Sequence, residues 1–406
     1  MASMRRFHRA TAEVPCLVLA VALAAWATGC RRWCPSSSPG SLLHAPGSFG
    51  SRLLVVAPHP DDEILAAGTV IARTIQEGGE VHVVVATAGE RGVNRTHAPD
   101  LGQARENETR RALGRLAVPA SSVEFLDYAD ETLATAWSDR WSAARHGAGA
   151  VTGTAVVEAL RTAVRAARPD TVIVPLALDG HPDHVAVARF TLLAVLAATV
   201  SPGPRLLGYV VHGERGWPAC RVIGRAVPAV PPGCAGTLPW TGLLLAPSER
   251  ERKEALIREY ATQLGPALLH HARTEETFAS DVTVQLGRAA APWRPSLRRT
   301  ARGIAITLPR AACGVDPAAG DRLRLRYFRG EALDERVVVL EPAPAVRGGV
   351  PGETLHAVAD VGVVVKPGSV HVLLDGDSFA GVGGAVLEVT GAPTRGPTPA
   401  WLLRWS

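Results

Sequence analysis

The chain has 406 residues, of which 47% are hydrophobic and 20% are charged. This length is typical of two or three domains, and this composition excludes an intrinsically disordered or fibrous protein. The formal net charge of +5 comes from 43 basic and 38 acidic residues, which are spread without a basic block, so nucleic acid is not expected as a partner.

The N-terminus has the composition of an export signal. Three arginines precede an apolar run over residues 14–28, and at about fifteen residues this run is shorter than the roughly 20 that span a bilayer. The run ends in small residues and a cysteine, Cys30, as in the lipobox of bacterial lipoproteins. We therefore expect residues 1–29 to direct export to the cell envelope, Cys30 to carry a lipid anchor and residues 30–50 to form a tether at the membrane. A plain secretory signal, giving a periplasmic or secreted protein, is the alternative.

From residue 52 the chain alternates between short apolar runs and longer amphipathic stretches. Runs of strand length occur at residues 52–57, 81–86, 123–126, 171–175 and 206–211, and helix-like stretches at 62–77, 103–116, 154–167 and 184–198. This alternation predicts an α/β fold with a Rossmann-like, doubly wound, mostly parallel sheet. Ligands of such sheets bind beyond the carboxyl ends of the strands. The chemistry is therefore expected in the loops that begin at Pro58, Thr87, Tyr128 and Leu176.

The first of these loops contains a histidine among acidic residues. Residues 58–63 read Pro-His-Pro-Asp-Asp-Glu. Acidic residues suit the first turn of a helix, so a simple helix cap is one interpretation. It does not explain His59, which is three positions from Asp62, so that imidazole and carboxylate can face the same point. Asp61 is then a spare carboxylate beside a pair of metal ligands.

The fourth loop contains two more histidines. Residues 179–184 read Asp-Gly-His-Pro-Asp-His, and His181 and His184 have the same three-residue offset. Two histidines and one carboxylate, with water as the fourth ligand, form a catalytic zinc site, so Zn²⁺ is our first choice of metal. The same donors would accept Fe²⁺, as in oxygenases. The surplus groups Asp61 and His181 favour hydrolysis, which needs a base for the attacking water and a donor for the oxyanion.

Together, the two motifs resemble those of the PIG-L deacetylase family, also called LmbE-like. Further similarities lie at residues 87–92, 105–114 and 253–263, so the resemblance covers about residues 52–278. It implies a deacetylase domain over residues 51–278, with the activity of a zinc-dependent amidase that removes an acyl group, usually acetyl, from an amino sugar.

The resemblance also implies roles for individual residues. Zinc would be bound by His59, Asp62 and His184. Asp61 would be the general base, and His181 would stabilise the oxyanion.

Further roles follow from the same resemblance. Asp183 would orient a histidine from outside the ligand set. The sugar pocket would be lined by Glu90, Arg105 and Asp130. The mycothiol branch of the family has a tyrosine where this chain has Asp179, which argues against the mycothiol precursor as the substrate.

Two other features allow more than one interpretation. His212 ends a predicted strand on the active side of the sheet and could contact substrate, but a structural role is favoured. Cys220 and Cys234 flank a proline-rich loop and could form a disulfide. Two unpaired thiols are the alternative.

Beyond residue 280 the pattern changes to short strand-like runs separated by Gly, Pro and Asp. These runs lie at residues 282–284, 303–308, 322–328, 336–340, 361–365, 370–374 and 385–389. They predict a β-rich, sandwich-like accessory domain over residues 280–406. Both a structural appendage and a glycan-binding module fit this pattern.

The sequence as a whole favours an exported, membrane-anchored zinc-dependent N-deacetylase that acts on an N-acetylated amino sugar or glycolipid. The alternative is a non-catalytic glycan-binding lipoprotein that retains the deacetylase fold. Asp61 favours catalysis, because binding alone does not need a base beside the metal ligands.

Overall fold

The computed structural model describes residues 42–44, 49–137, 141–145, 149–198, 203–213, 238–272, 276–280, 282–285, 295–310, 321–340, 354–358, 360–366, 368–391 and 400–405. The predicted export signal, the lipidation site at Cys30, and the pair Cys220 and Cys234 lie outside these residues. Across the described ranges, no helix is long and apolar enough to cross a membrane.

Helices and strands alternate in the described part of residues 42–280, and the described residues beyond 280 form strands alone. The helices are α1 (Asp62–Gln76), α2 (Leu101–Arg115), α3 (Leu133–Trp137), α4 (Gly153–Ala167), α5 (Pro182–Ala198), α6 (Pro247–Ile257) and α7 (Pro266–Ala272). The first strands are β1 (Leu42–His44), β2 (Arg52–Ala57), β3 (Glu80–Thr87), β4 (Val123–Tyr128), β5 (Ser142–Arg145), β6 (Gly149–Thr152), β7 (Thr171–Pro175), β8 (Arg205–Tyr209), β9 (Trp240–Leu243) and β10 (Glu276–Ala279). The later strands are β11 (Thr283–Gln285), β12 (Ser296–Thr300), β13 (Gly303–Pro309), β14 (Arg322–Arg329), β15 (Ala332–Val339), β16 (Thr354–Val358), β17 (Val361–Val365), β18 (Ser369–Asp375), β19 (Gly384–Thr390) and β20 (Ala400–Arg404).

The first ten strands form one sheet in the order β1-β9-β10-β8-β7-β2-β3-β4-β5-β6. Its centre, β8-β7-β2-β3-β4, is parallel throughout, which confirms the predicted doubly wound, mostly parallel sheet. The chain runs from β2 outward to β3 and β4, and then returns to the other side of β2 to form β7 and β8. The strand order therefore reverses between β2 and β7, and such a reversal opens a crevice at the carboxyl ends of the two strands.

The apolar run of β2 is continuous because helices cover both faces of the sheet. Leu53 and Val55 belong to the core beneath α1, together with Ile64. Leu54 and Val56 belong to the core on the opposite face, which α4 and α5 cover. This double burial fixes β2, and with it the start of the loop that carries the first motif.

The edges of the sheet differ from the sequence-based expectation. Leu42–His44, within the predicted tether, forms β1 and pairs in parallel with β9. The hairpin β5–β6 and the antiparallel strands β9 and β10 were also not predicted. These strands have three or four residues each, which is too short for a periodic pattern to identify.

The C-terminal strands form the expected sandwich of two five-stranded sheets. Their orders are β11-β20-β19-β14-β15, which we call the interface sheet, and β12-β13-β18-β17-β16. All seven predicted runs lie on strands, and one core fills the space between the two sheets. The strands β12, β16 and β20 were not predicted. In β12, Leu297 is the side chain that enters the core. A single apolar residue gives no alternating pattern, so the sequence does not identify this strand.

Strands β14, β19 and β20 of the interface sheet are buried on both faces. Their side chains alternate between the sandwich core, as Leu387 does, and the opposite face, as Val386 does. On that opposite face Val386, Ala400 and Leu402 share one hydrophobic core with Phe190 of α5. The sandwich therefore packs directly on the helical layer of the α/β domain.

Helix α1 is interrupted at Ala67, where φ is −136° and ψ is 15°. Just after this kink, the backbone N–H groups of Thr69 and Val70 donate to the carboxylate of Glu276, at 2.6 and 3.0 Å. Lys253 Nζ lies 2.9 Å from Glu276 Oε1, and both side chains are almost fully buried. The kink thus depends on a buried carboxylate that needs its ammonium partner.

Replacing Lys253 with Met is expected to lower the free energy of unfolding by about 3–5 kcal/mol, because it leaves a buried carboxylate without its counter-ion. The control is Arg258→Met, which removes a 53% exposed partner of Glu254 and should cost less than about 1 kcal/mol. Thermal and urea unfolding of both variants measure the difference. Small and equal losses in the two variants would contradict the structural role of Lys253.

Candidate metal centre and active site

The two histidine motifs flank the point where the strand order reverses. His59 and Asp62 follow β2, and His184 lies in the first turn of α5, after β7. Asp62 Oδ2 lies 3.2 Å from His59 Nδ1 and 3.0 Å from His184 Nε2, and the two ring nitrogens are 3.3 Å apart. Zinc bonds of about 2.0–2.1 Å at tetrahedral angles place ligand atoms about 3.3 Å apart. The three predicted ligands therefore form a triangle of the size that zinc requires.

The charges around this triangle favour a bound cation. Burial lowers the pKa of His184, but Asp179 and Asp62 outweigh burial and raise this pKa to about 9. Burial likewise opposes a charge on His59, yet the carboxylates near the ring, Asp130 foremost, raise the pKa of this ring well above its usual value. The protein thus stabilises positive charge at a site that has little access to water. A metal cation satisfies the same demand.

Each histidine of the triangle has a carboxylate behind it. His59 Nε2 lies 3.1 Å from Asp130 Oδ1, and His184 Nδ1 lies 3.3 Å from Asp179 Oδ2. With these nitrogens occupied, the other ring nitrogens, Nδ1 of His59 and Nε2 of His184, face Asp62, the third predicted ligand. Carboxylates in this position fix the tautomer and orientation of a metal-binding imidazole.

Asp179 was not predicted from the sequence to orient a histidine. Its carboxylate also accepts hydrogen bonds from the backbone N–H groups of His181, Val211 and His212, at 2.9, 2.8 and 3.1 Å. Burial raises the pKa of Asp179, but its partners, His184 foremost, bring it below the usual value, so this side chain is ionised. The one signal in the sequence was its place two residues before His181, where the mycothiol branch has tyrosine.

Asp61 does not cap helix α1, since its side chain forms no capping hydrogen bond. Its φ of 113° lies in the left-handed region, and its backbone N–H donates to Glu63 Oε2 at 3.1 Å. Its own carboxylate binds Arg105, with 3.1 Å between Asp61 Oδ2 and Arg105 Nη2. Burial raises the pKa of Asp61 to about 7, against the opposing effect of Arg105. The simple helix-cap interpretation of this residue therefore loses its basis.

Arg105 lies behind Asp61 and is 4% exposed. It donates to the carbonyl oxygens of Gly89 and Pro60, at 2.7 and 2.6 Å. Gly89 has a φ of 64°, and a Cβ there would lie 2.2 Å from Arg105 Nη1, so only glycine fits. Glu90, which is partly exposed, accepts from the Asp130 N–H at 3.0 Å. Of the three predicted sugar-pocket residues, Arg105 and Asp130 are thus buried in contacts with the protein.

His181 and Asp183 contact each other and lie beside the predicted metal ligands. The Asp183 backbone N–H donates to His181 Nδ1 at 3.2 Å, so the neutral ring carries its proton on Nε2. Burial and then His59 lower the pKa of His181, which keeps the ring neutral. The Asp183 carboxylate lies 3.6 Å from His59 Nε2 and accepts from the N–H groups of Glu131 and Leu133, at 2.6 and 3.1 Å.

His212 joins this cluster, although the sequence favoured a structural role for it. One ligand-type atom of His212 lies within 4.8 Å of those of His59, Asp62 and His184. The Gly180 N–H donates to the His212 carbonyl at 2.6 Å, and a Cβ on Gly180 would lie 2.6 Å from that oxygen. Its position just after β8, on the same side of the sheet, was the available signal.

Comparison with known proteins identifies the family. The family model described as PIG-L, GlcNAc-PI de-N-acetylase, matches residues 54–195. A protein of Mycobacteroides abscessus named 1D-myo-inositol 2-acetamido-2-deoxy-alpha-D-glucopyranoside deacetylase is 31% identical over 240 residues, which are 52% of this chain and 81% of that protein. The chain belongs to the PIG-L family. This confirms the resemblance that the two histidine motifs carry.

Other similar proteins match over a shorter length. A protein of the same name from Tsukamurella paurometabola is 36% identical over 171 residues, which are 38% of this chain and 58% of that protein. The chain thus spans little more than half the length of this relative. The solved N,N'-diacetylchitobiose deacetylase of Pyrococcus horikoshii has 18% identity and a TM-score of 0.38, over 54% of this chain and 72% of that one.

Replacing Asp179 with Asn is expected to weaken Zn²⁺ affinity by roughly 10–100-fold, because the amide lacks the charge that orients and polarises His184. Competition with a fluorescent chelator measures this affinity. His184→Ala, which removes a predicted ligand, should abolish binding. Asp170→Asn is the matched control, since Asp170 binds Ser51 and Arg52 at the opposite edge of the sheet. Unchanged affinity in the Asp179 variant would contradict its assigned role.

Proposed function

We propose that this protein is a metal-dependent hydrolase that removes an N-acyl group, chiefly acetyl, from an amino sugar or glycoconjugate. The observation that carries the proposal is the buried carboxylate of Asp61, which lies beside the ligand triangle, bound to Arg105 and not to the helix it precedes. A protein that only bound a glycan would not need such a base. Membership of a deacetylase family supports the same conclusion.

The metal would be held by His59, Asp62 and His184, whose donor set and spacing fit Zn²⁺ and also accept Fe²⁺. When bound, such an ion supplies Lewis acidity, which polarises the amide carbonyl and acidifies a water molecule. Asp130 and Asp179 hold the two imidazoles in the orientation that this binding needs.

Asp61 would accept the proton of the attacking water. Arg105 binds Asp61 Oδ2 and so fixes the plane of the carboxylate, which leaves Oδ1 for the proton. The same carboxyl group then returns the proton to the amide nitrogen, so that the amine can leave. The Glu63 carboxylate accepts from the Asp61 backbone N–H and from the Tyr260 hydroxyl. These two hydrogen bonds hold the backbone at Asp61 in place.

His181 would stabilise the oxyanion that forms from the carbonyl oxygen. Because its Nδ1 accepts from the Asp183 N–H, its Nε2–H is free to donate a hydrogen bond to developing negative charge. The ring of the exposed His212 has its centroid 5.2 Å from that of His181, and it would contact the substrate near the metal.

The substrate class follows from the relatives. Two relatives, 36% and 31% identical to this chain, are named as deacetylases of an N-acetylated glucosaminyl inositol, so N-acetylated amino sugars, free or lipid-linked, are the proposed substrates. Asp179 replaces the tyrosine of the mycothiol branch, which favours a different sugar. A mass-spectrometric screen of N-acetylated sugars and envelope glycolipids with the purified protein identifies the substrate.

Replacing Asp61 with Asn should leave zinc content and sugar affinity intact and lower turnover by roughly 10²- to 10⁴-fold, the usual contribution of a positioned base. The matched control is Asp100→Asn, because Asp100 does cap a helix, α2, through the Gln103 N–H at 3.0 Å. Asparagine caps almost as well as aspartate, so this control should keep full turnover.

Deacetylation and zinc content are measured on the parent and both variants. Equal turnover in the parent and the Asp61 variant would refute the general-base role. A parent without turnover on any N-acyl sugar, but with sugar affinity, would favour the non-catalytic glycan-binding lipoprotein instead.

We also propose that the protein is exported and held at the membrane through Cys30, from the sequence pattern of residues 1–30. Cys30→Ser should then give a soluble or unprocessed protein, while the parent partitions into membranes. Labelling with a fatty acid and fractionation of cells measure both properties. If the parent protein incorporates no labelled fatty acid, the lipid anchor is refuted and simple secretion remains as the interpretation.

A further inference from the structure

A buried polar cluster joins the interface sheet to the α/β domain. Glu388 on β19 and Arg326 on β14 are only 1% and 3% exposed, although both are charged. Both contact Trp137, the last residue of helix α3. Charged groups are costly to bury, so a cluster of this kind needs an explanation beyond packing.

Trp137 is held by this cluster in three ways. Its indole N–H donates to Glu388 Oε2 at 2.8 Å, and its carbonyl accepts from Arg326 Nη2 at 3.1 Å. The Arg326 guanidinium also lies over the indole ring, 4.2 Å from its centroid, and 4.3 Å from that of Trp141. The end of α3 cannot shift without loss of at least one of these contacts.

The other end of α3 lies in the active site. The N–H groups of Leu133 and Glu131 donate to the carboxylate of Asp183, and Asp130 contacts the ring of His59. Helix α3 has five residues, so it bridges only about 7 Å between the interface sheet and these contacts. A displacement of Trp137 would therefore reach Asp130 and Asp183 directly.

The same cluster also holds the helix that carries a metal ligand. Arg189 lies five positions after His184 on α5, and its Nε is 2.9 Å from Glu388 Oε2. Arg324 on β14 pairs with the other oxygen of Glu388 at 3.4 Å. One carboxylate of the sandwich thus binds both α3 and α5, the two elements that meet at the metal site.

We propose that the interface sheet positions the metal site of the α/β domain, with Arg326 and Trp137 as positioning residues that act through α3 on Asp130 and Asp183. The sandwich is then a working part of the deacetylase and neither a structural appendage nor an independent glycan-binding module. The catalytic consequence rests on the proposed function, whereas the effect on metal binding does not.

The test compares Arg326→Met with Arg336→Met in the full-length protein. Both arginines belong to the interface sheet, pair with a carboxylate and lie near an aromatic ring. Arg336 differs because its contacts with Asp360 and Tyr327 stay within the sandwich, whereas Arg326 also contacts Trp137 of the α/β domain. Loss of Arg326 leaves Glu335, which is 38% exposed and therefore remains hydrated. Arg326→Lys is the conservative variant, because it keeps a cation over the indole ring.

Three measurements are made: Zn²⁺ affinity by chelator competition, hydrogen–deuterium exchange over residues 129–137, and kcat and KM for deacetylation. Thermal unfolding provides the reference for global stability. For Arg326→Met we expect affinity and kcat to fall by roughly 10-fold, the lower end of the effect of losing an orienting contact. We also expect faster exchange over residues 129–137, with little change in KM. Arg326→Lys should recover most of the affinity, and Arg336→Met should match the parent in all three measurements.

Equal Zn²⁺ affinity and equal exchange in Arg326→Met and Arg336→Met would overturn the inference and leave the sandwich as an appendage. A fall in affinity that follows global stability in both variants would overturn it as well. Affinity and exchange are read without substrate. A parent that binds zinc but hydrolyses no N-acyl sugar would therefore refute the proposed function, while these two measurements would still decide the positioning role.

Discussion

The active region depends on one constraint, which is the compensation of several buried carboxylates that have little access to water. Five carboxylates with exposures of 7% or less surround the histidines: Asp61, Asp62, Asp130, Asp179 and Asp183. Buried charge must be compensated by opposite charge and hydrogen bonds. Arg105 compensates one carboxylate, the backbone N–H groups of the loops compensate others, and a cation between the histidines would complete the balance.

The backbone around the site follows from this requirement. Asp61 adopts a φ of 113°, which is costly for a non-glycine residue, and such strain persists only where surrounding contacts enforce it. The contacts here are the Asp61 N–H to Glu63 and the carboxylate to Arg105. Gly89 and Gly180 allow close approach of Arg105 and His212. The loops thus adopt unfavourable backbone conformations because these place a few side chains correctly.

The C-terminal sandwich also contains buried charges that are compensated by opposite charges. In β14, leucines at 323 and 325 alternate with arginines at 324 and 326, a pattern typical of a sheet with one apolar face and one face in water. The structure instead buries both arginines, at 8% and 3% exposure, against the α/β domain. Their charge is matched by Glu388 and Glu335, so the polar face forms an ordered interface between the domains.

The sequence by itself determined the parallel sheet, the sandwich, the family and the residues that meet at the centre. These depend on local periodicity and on two motifs at strand ends, and parallel strands necessarily bring such ends to one edge. The tertiary structure alone decided that Asp130 and Asp179 lie behind the histidines, that Arg105 binds Asp61, and that His212 joins the cluster. Such contacts link residues far apart in the chain, or, for Asp179, depend on side-chain direction. They are set by how loops and helices pack, which neither periodicity nor spacing encodes.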